Sequence, residues 1–189
     1  MTFTASNPFA SASTLPYQAP PFDKIRNEDY QPAIEEGMRV QIAEVERIAA
    51  DAAPPTFDNT IAALEKTGLL LARANNAFQA ITQANTNDTL QRLQVTLAPK
   101  LAAHYDAIHM NPALFARLKT LYDGRPTPGL DSVQQFLVAR YYRDFVRAGA
   151  QLDADAKANL RALNEEESKL SADFQNRLLA ATKAAGLVI

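Results

Sequence analysis

Apolar side chains recur every three or four positions through most of the chain, and this spacing places them on one face of an α-helix. The first apolar stripe consists of Ile34, Met38, Ile42, Val45 and Ala49. Five further stripes follow it, so the pattern predicts six amphipathic helices. They cover approximately residues 27–52, 56–84, 87–108, 111–122, 131–148 and 153–185.

Residues that favour helix ends stand at the predicted boundaries. Side chains that can accept a hydrogen bond from the free N–H groups of a first turn are Thr56, Asp58, Asn87, Asn111, Asp131 and Asp153. Pro54 and Pro55 end the first helix, and Pro112 suits the first position of the fourth, because proline has no N–H to donate. Gly149 and Gly186 predict the C-terminal ends of the last two helices.

Two residues interrupt the second and third predicted helices. Gly68 lies inside the second, where glycine costs about 1 kcal/mol relative to alanine, and it predicts the close approach of another helix. Pro99 lies inside the third and predicts a kink, because the carbonyl of Val95 loses its usual helical donor.

The first 26 residues carry a different pattern, in which prolines alternate with aromatic residues. These residues are Pro8, Phe9, Pro16, Tyr17, Pro20, Pro21 and Phe22. Since proline fixes φ and removes a donor, residues 1–26 are expected to form an extended arm that buries its rings on the protein surface. The helices then form a domain over residues 27–189.

Composition supports an all-α fold. The chain contains 35 Ala and 21 Leu, which are strong helix formers, against 15 Val and Ile together, which favour strands. Short connections between the six helices predict antiparallel neighbours in a stack of helical hairpins.

Charge and cysteine content exclude several function classes. The formal net charge is -2, so no positive excess exists to neutralise a phosphate backbone, and nucleic-acid binding is not expected. The chain has no cysteine, which excludes disulfides, thiolate zinc sites and a cysteine nucleophile. No apolar run is long enough for a membrane span, and residues 1–13 lack the pattern of an export signal, which favours a cytoplasmic location.

The two histidines do not form a metal site in a regular helix. His104 and His109 are five positions apart, about 140° around the helix, so they cannot face one ion. They are expected to be structural, one partly buried and one exposed. We therefore predict no metal ligand and no catalytic residue in this chain.

Three polar clusters are the remaining candidates for binding. Glu165, Glu166 and Glu167 form an acidic run, in which Glu167 interrupts the apolar stripe of Leu160, Leu163, Leu170, Phe174 and Leu178 and could pair with an arginine or face a cavity. Arg140, Arg143 and Arg147 share a helix side with Asp144; we expect a solvated, ion-paired face, and a site for a peptide carboxylate is the alternative. Asn75, Asn76 and Gln79 place amides on one stretch of helix and are expected to be surface residues.

The chain ends in an apolar, β-branched segment, residues 187–189, directly after a predicted helix end. Such a segment is typical of the start of a strand rather than of a frayed terminus. We therefore expect the chain to be the front part of a longer protein.

Many short segments, in order, resemble one family. They are NPF (7–9), LPYQAPPFDKI (15–25), YQPAIEEGM (30–38), PPTFDNTIAALEKTG (54–68), ANTNDTLQRL (84–93), APKLAAHYDAI (98–108), NPALFARL (111–118), RDFVRAGAQLD (143–153) and FQNRLLAATKAAGLVI (174–189). Through nearly its whole length the sequence resembles the N-terminal region of the thimet oligopeptidase-like (M3) zinc metallopeptidases, in particular their peptidyl-dipeptidase branch. Glu167 departs from the small or apolar residue expected there.

The resemblance implies a helical enzyme with two lobes that flank a deep channel. In such enzymes an HExxH helix and a further glutamate hold zinc, which polarises the scissile carbonyl while the motif glutamate activates water. None of these residues is present in the chain. The resemblance therefore implies a channel-wall domain that is inactive alone, with the missing catalytic lobe as its partner, zinc in the complete enzyme, and dipeptide release from the C-termini of short peptides.

Two alternatives stay open from the sequence. The chain could be the corresponding domain of a sister oligopeptidase that cuts peptides internally. It could also be a helical binding module with no enzyme attached.

Overall fold

The computed structural model describes residues 2–125 and 129–185, and it confirms the predicted all-α fold: this part of the chain contains helices and no strands. The helices are α1 (Asn27–Ala49), α2 (a π-helical turn, Phe57–Ala62, that continues as Ala63–Glu65), α3 (Leu69–Ala84), α4 (Asp88–His109), α5 (Pro112–Asp123), α6 (Ser132–Arg147) and α7 (Ala154–Ala184). The expected strand start at residues 187–189 and the centre of the loop after α5 lie outside the described residues. None of the described helices is long and apolar enough to cross a bilayer.

The predicted N-caps are in place. Each cap residue accepts, through a side-chain oxygen, a hydrogen bond from a backbone N–H of the first helical turn. These residues are Thr56, Asn87, Asn111, Asp131 and Asp153. Gly149 has φ 95° just after α6, which confirms it as the helix stop. Local capping chemistry therefore determines most of the helix boundaries.

The second predicted helix is wrong in one respect, because it is broken at Gly68. This glycine has φ 71° and separates α2 from α3, and its N–H donates to Glu44 Oε2 of α1 at 2.8 Å. A left-handed conformation of this kind favours glycine over other residues. The expected close approach is present, since a Cβ on Gly68 would lie 2.4 Å from Gln41 Nε2.

Gly37 marks a second close approach, which the sequence pattern did not reveal. A Cβ at this position of α1 would lie 2.7 Å from the Cα of Leu71 in α3. Glycine therefore lets the two helix backbones touch where any side chain would separate them.

Helix α4 runs through Pro99 without interruption from Asp88 to His109. The third predicted helix is thus a single element. The kink at Pro99 remains a prediction.

The N-terminal arm is non-helical except for one 3-10 turn, Pro16–Gln18. Phe9 is buried against the ring of Tyr30, and its carbonyl accepts a hydrogen bond from Arg73 Nη2 at 3.2 Å. The arm thus buries the ring of Phe9, as expected, whereas the rings of Tyr17 and Phe22 are exposed. Tyr17 lies in the 3-10 turn, whose backbone (φ 58°) directs its ring into solvent.

Two apolar clusters form the interior. The first joins the N-terminal halves of α1 and α4 to α3 and to Phe9; the second joins the C-terminal halves of α1 and α4 to α2, α5 and α6. Helices α1 and α4 contribute to both clusters, so they connect the two parts of the core.

Helix α7 packs differently from the others. Its extensive contacts are with α4, which is three helices away along the chain, so this pair is not one of the hairpins expected between consecutive helices. Its only buried residue is Ala172, and no α7 residue belongs to either apolar cluster. The apolar stripe from Leu163 to Leu178, which the periodicity assigns to the core, is exposed instead.

Candidate functional site

His104 is part of a buried network between α1 and α4. Its Nε2 lies 2.8 Å from Gln41 Oε1, and Gln41 Nε2 donates to Thr67 Oγ1 at 3.4 Å. Burial lowers the pKa of His104 from 6.5 to about 4. The ring is therefore neutral at pH 7, and Nε2–H donates to the Gln41 carbonyl oxygen.

His109 lies near the end of α4 and is half-buried rather than exposed. Its Nδ1 lies 2.8 Å from the carbonyl oxygen of Tyr105, one turn earlier, and donates to it. The ring packs against Phe145 of α6 with centroids 4.9 Å apart. Both histidines thus contact other parts of the core.

No three His, Asp or Glu side chains among the described residues converge in a way that could hold a metal ion. Each histidine already has a ring nitrogen engaged with a neighbouring oxygen. The donor set of this part of the chain therefore does not fit the zinc site that the resemblance implies for the complete enzyme.

The three arginines of α6 lie on the exposed side of the helix. Arg140 Nε is 3.6 Å from Asp144 Oδ2, so the expected pair one turn apart is present. Arg143 and Arg147 are also exposed. This is the solvated, ion-paired face that the sequence favours.

The acidic run of α7 is exposed. Glu167 Oε1 accepts a hydrogen bond from Ser171 Oγ at 2.8 Å, one turn further along the helix. It lies beside Leu163, Leu170 and Phe174, so a carboxylate stands within an exposed apolar row.

The opposite side of α7 contacts α4 through polar and small residues. Asn164 Nδ2 lies 2.9 and 3.0 Å from the two carboxylate oxygens of the buried Asp106, and Asn176 Nδ2 donates to the carbonyl of Gln91 at 3.3 Å. Ala172 is buried between these contacts. Specific hydrogen bonds therefore fix how α7 lies on α4.

The amides of α3 are not all surface residues. Asn76 is exposed, whereas Asn75 is half-buried, and Gln79 lines a cleft of about 180 Å³ between α3, α4 and α7. The polar side chains that line this cleft are Gln79, Gln94, Ser168, Ser171 and Gln175.

Arg117 of α5 is a buried residue that the sequence pattern did not single out. Its Nη1 donates to the carbonyls of Asp51 and Ala53, and its Nη2 donates to Asn59 Oδ1 at 3.0 Å and lies 3.3 Å from Asp51 Oδ2. The guanidinium therefore joins α5 to the connection between α1 and α2. Its partners lie 58 to 66 positions away and are mostly carbonyl groups, so residue spacing carries no signal for it.

The side chains of His104, Asn164, Asn176 and Arg117 thus join helices to one another or to the connections between them. The sequence was compared with those of known proteins. The chain is 45% identical over 185 residues to the dipeptidyl carboxypeptidase of Salmonella typhimurium and 46% identical over 186 residues to that of Escherichia coli. Each match covers 98% of the chain and 27% of the relative.

The chain aligns with the N-terminal part of both dipeptidyl carboxypeptidases. It is also 25% identical over 167 residues to oligopeptidase A of Escherichia coli, a match that covers 88% of the chain and 25% of that protein. No protein-family model matches the chain.

The chain thus spans about a quarter of the length of the relatives it matches. The two dipeptidyl carboxypeptidases are much more similar to it than oligopeptidase A, both in identity and in the share of the chain aligned. All three matches therefore place the aligned region in the N-terminal part of a much longer peptidase sequence.

Proposed function

We propose that this chain is the N-terminal channel-wall domain of a peptidyl-dipeptidase that releases dipeptides from the C-termini of short peptides. The observation that carries the proposal is the 45–46% identity to dipeptidyl carboxypeptidases across 98% of the chain. The chain's own role is architectural: its helices form part of the channel wall.

The proposal assigns the catalytic zinc ion to the part of the enzyme outside this chain. The donor set of the described residues supports that assignment, because its histidines are engaged with Gln41 and with a backbone carbonyl. No step of peptide hydrolysis is therefore assigned to a residue of this chain. A cytoplasmic location is part of the same proposal.

The test is product analysis on the complete protein encoded by the reading frame. A peptide with a free C-terminus should lose successive dipeptides, its N-acetylated form should behave in the same way, and its C-terminally amidated form should be resistant. Chelation of the metal should abolish release, and the chain of residues 1–189 alone should release nothing. Release of larger internal fragments from the amidated peptide would contradict the proposal.

The second candidate is a sister oligopeptidase that cuts internally, which the 25% identity to oligopeptidase A favours. The amidated peptide separates the two activities, because an internal cut does not require a free C-terminal carboxylate. A reading frame without a downstream HExxH would instead support a binding module with no enzyme attached.

A further inference from the structure

Helix α7 presents two unlike faces. The face on α4 carries Asn164, Ala172 and Asn176, together with the half-buried Leu179. At 100° per residue, Ala172 lies about 160° around the helix from Phe174. The residues that stabilise α7 on the body therefore leave its apolar side free.

The apolar side forms one continuous row. Leu163, Leu170, Phe174 and Leu178 fall within an arc of about 80° at 100° per residue. Their exposed fractions are 62%, 60%, 64% and 54%. A row of large apolar side chains on one helix face marks an interaction surface, whereas scattered exposed residues do not.

The lengths of the relatives indicate what covers the row. The matched region is their N-terminal 27%, so nearly three quarters of each relative follows the segment that ends with α7. We propose that the row of Leu163, Leu170, Phe174 and Leu178 is the surface on which the catalytic part of the complete peptidase packs. This inference rests on the proposed function, because it takes the catalytic part to be present in the complete protein.

The charges on this face define the chemistry of the covering surface. Glu167 lies within the row, Glu166 flanks it, and Arg177 is paired with Asp173 at 2.9 Å. Burying a carboxylate without a partner is costly, so the covering surface offers aliphatic side chains together with a basic residue or hydrogen-bond donor opposite Glu167.

Cysteine labelling tests the inference without reference to activity. The chain contains no cysteine, so Phe174→Cys introduces one unique thiol in it. The matched control is Lys169→Cys, which is exposed on the same helix but lies about 140° from the centre of the row. Each variant is made both in the chain of residues 1–189 and in the complete protein. Mass spectrometry of the peptide that contains the introduced cysteine then measures how fast N-ethylmaleimide modifies the thiol.

We expect the Phe174→Cys thiol to react at least about tenfold more slowly in the complete protein than in the short chain, with less than about a threefold change for Lys169→Cys. Equal rates for Phe174→Cys in both proteins would overturn the inference, and if that complete protein still released dipeptides, the proposed function would stand. Protection of the Phe174→Cys thiol in a complete protein that lacks peptidase activity would support the proposed packing surface and contradict the proposed function.

A second copy of the chain is the competing occupant. In that case the Phe174→Cys thiol would become protected only in the chain of residues 1–189, and increasingly so as the concentration of that chain rises. That outcome would also overturn the inference.

Discussion

The six-helix body (α1 to α6) and helix α7 place their apolar residues in opposite ways. In the body, large side chains such as Phe78 and Leu97 are buried within two clusters that share α1 and α4. In α7 the large side chains of Leu163, Leu170, Phe174 and Leu178 face solvent, and the contact with α4 includes hydrogen bonds on either side of Ala172. Amphipathic periodicity alone therefore does not identify the face that a helix turns to the core of its own domain.

The largest expected difference comes from one pair of phenylalanines. Phe78→Ala should lower the free energy of unfolding by about 3–5 kcal/mol, because it creates a cavity in the first cluster. Phe174→Ala should change it by less than about 0.5 kcal/mol in this chain, because the ring is 64% exposed. Urea unfolding followed by circular dichroism measures both. A loss above about 1 kcal/mol for Phe174→Ala would contradict the proposed contrast.

The buried guanidinium of Arg117 tests the integrity of the body. Arg117→Met keeps most of the volume but leaves the carbonyls of Asp51 and Ala53 without their donor, so we expect a loss of about 2–4 kcal/mol. Arg39→Met is the control, since its ion pair with Glu36 is exposed to solvent and should contribute little to stability. If Arg117→Met and Arg39→Met lowered the thermal stability equally, Arg117 would not be needed to hold α5 to the rest of the body.

His104 makes the stability of the body depend on pH. Burial lowers its pKa from 6.5 to about 4, so between these values the unfolded chain binds a proton that the folded chain does not. Stability should therefore fall as the pH drops through this window, by about 2 kcal/mol at pH 5 relative to pH 7.

The variant His104→Gln isolates this contribution, because it retains every carboxylate that also titrates. Between pH 7 and pH 5 the unsubstituted protein should lose more unfolding free energy than His104→Gln does. A difference in unfolding free energy between the two proteins that is the same at both pH values would contradict a neutral, buried His104.

The smallest expected effect is on the attachment of α7. Asn164→Ala removes the amide donor from Asp106, and we expect a loss of about 1 kcal/mol. Hydrogen exchange of the α7 amides is the suitable measurement, because this helix can separate from the body locally. Glu165→Ala, an exposed neighbour, serves as the control, and similar exchange rates in the two variants would refute the role of Asn164.

Much of the fold followed from local sequence signals. The caps Asn87, Asn111, Asp131 and Asp153 predicted the starts of four helices, because a cap requires only residues within one turn. The break at Gly68 was missed, because a glycine inside a helical pattern does not reveal whether its φ is positive. Its conformation depends on Glu44 and Gln41, which belong to another helix.

The functional surface was only partly predictable. The apolar stripe of α7 was found from its spacing, but whether a stripe faces the core or solvent depends on what else is available to cover it. The contact side of α7, with Asn164 and Asn176, carries no apolar pattern that sequence inspection could detect. Arg117 and Gly37 were missed for a similar reason, since their partners are backbone atoms of distant segments.

The sharing of α1 between the two clusters has a consequence for cooperativity. Ile34 lies in the first cluster and Val45, three turns later, in the second, so α1 remains helical only while it is packed on both. Loss of either cluster removes the support for the other, and the most protected amides of α1 should exchange only through global unfolding. Helix α7 contributes no residue to either cluster, so we expect its amides to exchange through local separation from α4 rather than through global unfolding.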